Sequence, residues 1–177
     1  MKRDFRFSVI VFLSVIALGL AGCGRTERWA YNHDPDTEIL SLSGNGKAVF
    51  NGERYSYEKT DEFIILTGNG DDIRMRYVMD GDEMLLYQKA EYEYAGEGER
   101  NGIIGVWKQV DGNWSYEFTE KGTFNEDSYS PGYYDLSEED GTIRLMYNDH
   151  YADTIIYYEL DGDRLTVDYP WRLVMMK

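Results

Sequence analysis

Trp114-Ser115-Tyr116-Glu117-Phe118-Thr119 alternates aromatic and polar side chains without a break. Successive side chains of a strand point to opposite faces, so this spacing puts Trp114, Tyr116 and Phe118 on one face and Ser115, Glu117 and Thr119 on the other. The same period runs through Ile73, Met75, Tyr77 and Met79, with Arg74 and Arg76 between them. It returns in Ile156, Tyr158 and Leu160, and again in Leu165, Val167 and Tyr169. Period-two patterning rich in Tyr, Ile, Val and Thr predicts half-buried antiparallel strands. The breaks carry turn chemistry: Asn45-Gly46, Asn51-Gly52, Asn69-Gly70, Asp80-Gly81, Asp111-Gly112, Asp140-Gly141 and Asp161-Gly162. Asn-Gly and Asp-Gly supply the positive φ that tight hairpins require. Only Gln88 to Tyr94 offers a competing short helix. From Ile39 onward the chain reads as all-β.

The strand pattern repeats at a period of about 76 to 81 residues. Trp29 corresponds to Trp107, and Leu42 and Gly46 to Phe118 and Gly122. Tyr55 and Tyr57 are matched to Tyr134 and Leu136, and Ile64 and Leu66 to Ile143 and Leu145. Tyr77-Val78-Met79-Asp80-Gly81-Asp82-Glu83-Met84 aligns with Tyr158-Glu159-Leu160-Asp161-Gly162-Asp163-Arg164-Leu165. The expected organisation is a first β repeat over 37–94, able to begin at Trp29, a linker over 95–101, and a second repeat over 102–177. At about 3.5 Å per residue the linker spans at most roughly 25 Å, so the copies must be neighbours. A repeat of roughly 70 residues without disulfides is marginal alone, which favours two repeats packed together or sharing one closed sheet.

The second copy carries Gly105-Val106-Trp107, Phe118 to Phe124 around Gly122, Gly132-Tyr133-Tyr134 and Gly162-Asp163-Arg164-Leu165. This order of motifs resembles the small lipocalin-like domains of bacterial lipoproteins. The resemblance covers about 70 residues closely and about 140 loosely. The first copy departs from it, with Arg28 before Trp29 and Ala48 where Phe124 would fall. It implies tandem antiparallel β-meanders forming a lipocalin-like barrel or packed half-barrels, with an apolar pocket, and it transfers no catalytic residue.

Residues 1–22 have the layout of a secretory signal. Lys2, Arg3 and Arg6 precede an apolar run from Val9 to Leu20, interrupted only by Ser14 and Gly19. Leu20-Ala21-Gly22-Cys23 looks like a bacterial lipobox, with small residues beside the scissile bond and the chain's single cysteine to take the lipid. Two or three acyl chains, at about 0.8 kcal/mol per buried CH₂, anchor stably where one does not. The expectation is an extracytoplasmic monomer held on the bacterial cell membrane through lipid on Cys23, with 23–36 as a lipidated tether.

Cleavage removes three of 18 basic and one of 33 acidic residues, leaving 15 against 32 and a net charge of −17. Such a surface repels nucleic acid, which is excluded as a partner. Hydrophobic residues at 42% and aromatics at 15% nevertheless suffice for a core. Once Cys23 is lipidated no thiol remains for a disulfide, so the exported domain depends on that core.

The chemistry-bearing residues are sparse. His33 lies in the tether, and His150 in the loop Asp149-His150-Tyr151. Two distant histidines and no spare cysteine do not make a zinc site, and no serine sits in a nucleophile elbow. Asp80-Gly81-Asp82, Asp161-Gly162-Asp163 and Asn125-Glu126-Asp127 offer carboxylates in turns, short of the five or six spaced oxygens of a calcium loop. Neither a cofactor motif nor a metal set stands out, and no enzyme is expected. Two functions follow, with a hydrolase built on convergent carboxylates or His150 as a third behind them. The first is a ligand-binding module whose pocket is lined by Trp107, Tyr116, Phe118 and Tyr158. The alternative is an envelope interaction module that uses its acidic face. Tyrosines such as Tyr92/Tyr94 and Tyr129/Tyr133 would serve either if they lie on the outer face.

Overall fold

The computed structural model describes residues 25–68, 70–97, 100–149 and 151–177. The first repeat supplies β1 (Thr26–Tyr31), β2 (Asp34–Ser43), β3 (Lys47–Phe50), β4 (Glu53–Lys59), β5 (Phe63–Thr67), β6 (Ile73–Asp80) and β7 (Glu83–Tyr94). The second supplies β8 (Gly105–Gln109), β9 (Ser115–Phe118), β10 (Thr123–Glu126), β11 (Ser130–Ser137), β12 (Thr142–Tyr147), β13 (Thr154–Asp161) and β14 (Arg164–Met175). The chain is all-β and antiparallel. Apart from Asn69-Gly70, whose Asn69 lies outside the described residues, its turns form where expected: Phe50 faces Glu53 across Asn51 and Gly52, whose φ values are 50° and 81°. Two consecutive positive φ values match the twist of the flanking strands, the reason Asn-Gly suits this loop.

Consecutive strands pair in order, and β1 closes on β14, so the strands form a ring. β7 and β14 also pair across that ring, from Glu83↔Val174 to Glu93↔Arg164. This ladder divides the ring into two closed circuits. In one lobe β1 to β6 are completed by Glu83–Leu86 of β7 and Leu173–Met175 of β14. In the other, β8 to β13 are completed by Tyr92–Tyr94 of β7 and Arg164–Asp168 of β14. Each lobe therefore leaves no unpaired edge, and each encloses its own core.

The repeats are related by a pseudo-two-fold axis that the register locates. Gln88 precedes Tyr169 by the 81-residue repeat offset and is also its cross-strand partner. A position paired with its own equivalent marks the axis. Equivalent residues then fill equivalent places: Trp29 and Trp107 are 1% and 0% exposed, and Ile64, Leu66, Ile143 and Leu145 are all at 0%. Full burial of such side chains contributes about 1.5–3 kcal/mol each. Where one lobe changes size, its partner position compensates. Ala48 faces Tyr55 in the first lobe, whereas Phe124 faces Gly132 in the second. A Cβ on Gly132 would stand 2.6 Å from Phe124 and 2.3 Å from the Met146 carbonyl oxygen, so glycine is required there.

Four details of the sequence reading change. The stretch 23–36 is not all tether, because Thr26–Tyr31 forms β1 and Asp34 opens β2. Trp29 and Ala30 are buried, and that burial draws the strand into the ring. Gln88 to Tyr94 lies in β7, held by β14 and β8 on either side. Tyr57 and Tyr134 are the true equivalents, since they face Leu66 and Leu145, so the alignment shifts by two residues in β4. Finally, the boundary at 95–101 does not separate the lobes, because the end of β14 belongs to the first. Residues 1–22, Cys23 and His150 lie outside the described residues.

Candidate ligand groove between the lobes

The residues expected to line a pocket are packed in the second core. Trp107, Tyr116 and Phe118 are 0–1% exposed. Phe118 lies 5.0 Å from Tyr134 and 5.7 Å from Tyr116 between ring centroids, and Tyr94 stands edge-on to Trp107 at 5.4 Å. The Trp107 indole N–H donates to the Ile103 carbonyl at 2.7 Å. These large side chains fill the lobe instead of surrounding a hollow. Tyr158 is half-buried against the same core and also reaches the groove described below. Tyr92 points inward and Tyr94 packs on Trp107, leaving Tyr129 and Tyr133 as the exposed pair.

Glu126 is the buried exception in that core, at 6% exposure. It ends β10 facing inward, at the place Phe50 holds in the first lobe, as the pairs Leu40↔Phe50 and Tyr116↔Glu126 establish. Its Oε1 accepts from the Trp114 indole at 3.0 Å and the Tyr116 hydroxyl at 2.8 Å, and its Oε2 from Tyr147 at 2.6 Å. Charge-assisted bonds of this kind compensate the desolvation of a carboxylate. Burial, then the negative charge of Glu126, pushes Tyr92, Tyr116 and Tyr147 above the ordinary phenol value. They remain protonated donors, and the cluster acts as a clamp that joins β9, β10 and β12. Sequence reasoning singled out Asn125-Glu126-Asp127 only as an acidic loop, because nothing local distinguishes an inward from an outward glutamate.

Between the lobes lies an open groove of about 550 Å³. Lys89, Thr166 and Asp168 come from the β7–β14 ladder, Phe63, Arg74 and Arg76 from β5 and β6, and Asp140, Gly141 and Tyr157–Glu159 from the β12–β13 side. Arg74 and Arg76 lie over the Phe63 ring at 3.8 and 4.7 Å, and Arg76 also reaches the Tyr157 ring at 4.5 Å. Arg76 and Tyr157 are equivalent positions of the two repeats, 81 apart, and they meet across the axis. The two repeats have therefore diverged at the junction as well.

Charge is divided across this groove. Three cations, Arg74, Arg76 and Lys89, come from the first repeat, and three acids, Asp140, Glu159 and Asp168, from the second. Asp168 faces Lys89 across the ladder, yet its Oδ1 is buried with no hydrogen-bond partner in the protein. Burial raises its carboxyl above the usual aspartate value, opposed by Lys89. Surfaces at domain junctions with a few convergent polar groups are common ligand sites. A molecule bearing both an anionic group for the guanidinium forks and a donor for Asp168 matches this layout.

Several of the remaining candidates have structural partners, while Asn125 Oδ1 is buried without one. Asp80 pairs with Arg172 at 3.6 Å and Asp163 with Arg100 at 3.7 Å, and Gly81 and Gly162 open two-residue hairpins with φ of 64° and 53°. Among the described residues no group of three or more His, Cys, Asp or Glu side chains is placed to hold a metal ion. His33 stacks on Tyr31 with centroids 5.2 Å apart. Compared with known proteins, the chain matches no family model, no curated protein and no solved structure.

Proposed function

We propose that this protein is a lipid-anchored, extracytoplasmic binding module, tethered through Cys23, whose ligand site is the groove between its two lobes. The observation that carries the reading is the buried, unpartnered Oδ1 of Asp168 in a groove whose opposing sides bear opposite charges. A buried acceptor left without a donor costs about 1–3 kcal/mol, which a bound ammonium or N–H group would recover. The ligand class that fits is a small zwitterion such as a short peptide. Its carboxylate would meet Arg74 and Arg76, its amine would meet Asp168, and an apolar side chain would lie against Phe63 and Tyr157. The lipobox-like Leu20-Ala21-Gly22-Cys23 supports the location, and the net charge of −17 left after cleavage supports a ligand that is not strongly anionic.

Calorimetric titration of the full chain with the dipeptide alanyl-phenylalanine tests this. Binding should be lost when either terminus is blocked, and should weaken about tenfold in Arg76→Ala. Equal binding of free and doubly blocked dipeptide, or no binding at about 10 mM, counts against the zwitterion reading.

A further inference from the structure

The face of the β7–β14 ladder turned away from the groove carries a cluster of rings where the two cores meet: Tyr31 and Tyr169 are half-buried against the first and second core, and His33 and Trp171 are exposed. Strand alternation places it there: Asp168 points to the groove side, so Tyr169 and Trp171 point to the other. Tyr31 stacks on His33 with planes 10° apart. Trp171 completes the group, 5.5 Å from Tyr31 and 6.4 Å from His33, and Tyr169 lies 5.6 Å from Trp171. Trp171 is 38% exposed, a large value for so apolar a side chain. Gln88 holds the group in place, its Nε2 donating to the Tyr31 hydroxyl oxygen at 3.0 Å.

Core packing accounts for Tyr31 and Tyr169 but not for the exposed rings of Trp171 and His33. At the equivalent places on the second lobe, Ala90 stands for Trp171, Gln109 for Tyr31 and Asp111 for His33. That lobe closes with the same strand order and an equally buried core. A half-exposed aromatic group present on one lobe and absent from its twin needs a reason other than closure of the sheet.

We propose that Trp171 and the Tyr31–His33 stack form a platform for a neutral saccharide. A pyranose ring presents a flat C–H face to an aromatic ring and hydroxyls at its rim, so it suits rings that are apolar in the middle and polar at the edge. Rigid Tyr and Trp side chains supply contact area with little conformational entropy to lose, and mutual packing restricts these further. Charge selects a neutral sugar. Asp34, next to His33 in the chain and paired with Tyr31, is exposed. Arg172, next along β14, is already paired with Glu83 and Asp80. An acidic glycan would therefore meet repulsion without a free guanidinium to offset it. This site is separate from the groove and does not depend on what the groove binds.

The test is tryptophan fluorescence of the full chain in a detergent without a sugar headgroup, titrated with cellohexaose and, separately, fully N-acetylated chitohexaose, both uncharged. A saturable emission change is expected with at least one of them, with a midpoint in the millimolar range or tighter. Trp171→Ala should abolish it, and His33→Ala, an exposed turn residue, should weaken it by about threefold to tenfold. No saturable change with either sugar up to about 20 mM overturns the proposal. So does unchanged affinity in His33→Ala, which holds even if Trp171→Ala disturbs the fold.

Discussion

Glu126 and Phe50 occupy the same place in two copies of one design, and the difference reaches every neighbour. Around Phe50 the first lobe packs aliphatic and aromatic carbon, while around Glu126 the second sets Trp114, Tyr116 and Tyr147 as donors. Glu126→Gln keeps the shape but turns one acceptor into a donor that faces hydroxyls. The expected loss is about 2–4 kcal/mol in chemical denaturation, from unsatisfied buried groups. Asp168 behaves in the opposite sense. Burial raises its pKa in the folded protein, so the folded state holds its proton to higher pH than the unfolded chain does. Stability from this group is thus fully present in acid and falls as pH rises from the ordinary aspartate value through the folded one. Asp168→Asn should therefore gain stability at pH 7, by no more than about 1 kcal/mol because the side chain is partly screened by solvent. The gain should vanish in acid, as denaturation curves at several pH values would reveal. The same variant should bind the dipeptide less well, the usual compromise at a site that holds a desolvated charge.

At the scale of elements, β14 is the strand on which both lobes depend. Its first half pairs with β13 and its last residues with β1, while β7 runs beside it throughout. Removal of residues 172–177 takes away the partner of β1 and opens only the first circuit. Trp29 should then show red-shifted fluorescence, and β1 and β2 should lose hydrogen-exchange protection while β9 to β12 keep theirs. Equal loss of protection in both lobes would refute this division. The strands themselves were legible from local alternation, Tyr116 and Phe118 inward and Glu117 outward. Ambiguity arose where pairing overrides local preference. Gln88 to Tyr94 has helical candidates but lies between two strands that supply its hydrogen bonds. Thr26–Tyr31 is rich in polar residues and becomes a strand because Trp29 and Ala30 fill the first core.

For the whole molecule, the acidic body and the basic start of the chain divide two tasks. With Cys23 lipidated and the signal removed, a domain of net −17 would be held at a membrane surface that repels it. Cys23→Ala should shift the protein from the membrane fraction to the soluble one without changing its unfolding midpoint. A variant that stays firmly membrane-bound would refute the anchor. Because the two circuits share β7 and β14, the intact chain should also unfold as one cooperative unit.

The strand pattern, turn positions, the two-copy repeat and the charge were written in the chain itself, because period-two burial and Asn-Gly or Asp-Gly turns act over a few residues. Each is a property that neighbouring residues settle among themselves. The groove, the buried glutamate and the ring platform were decided only by the tertiary structure. Trp114-Ser115-Tyr116-Glu117-Phe118-Thr119 announces a strand, yet nothing in it says that Tyr116 will donate to Glu126. Arg76 meets Tyr157, and Tyr31 meets Gln88 and Trp171, only because the β7–β14 ladder brings distant stretches of chain together about a pseudo-two-fold axis. Contacts of that kind depend on register between distant strands, a quantity that no local pattern encodes.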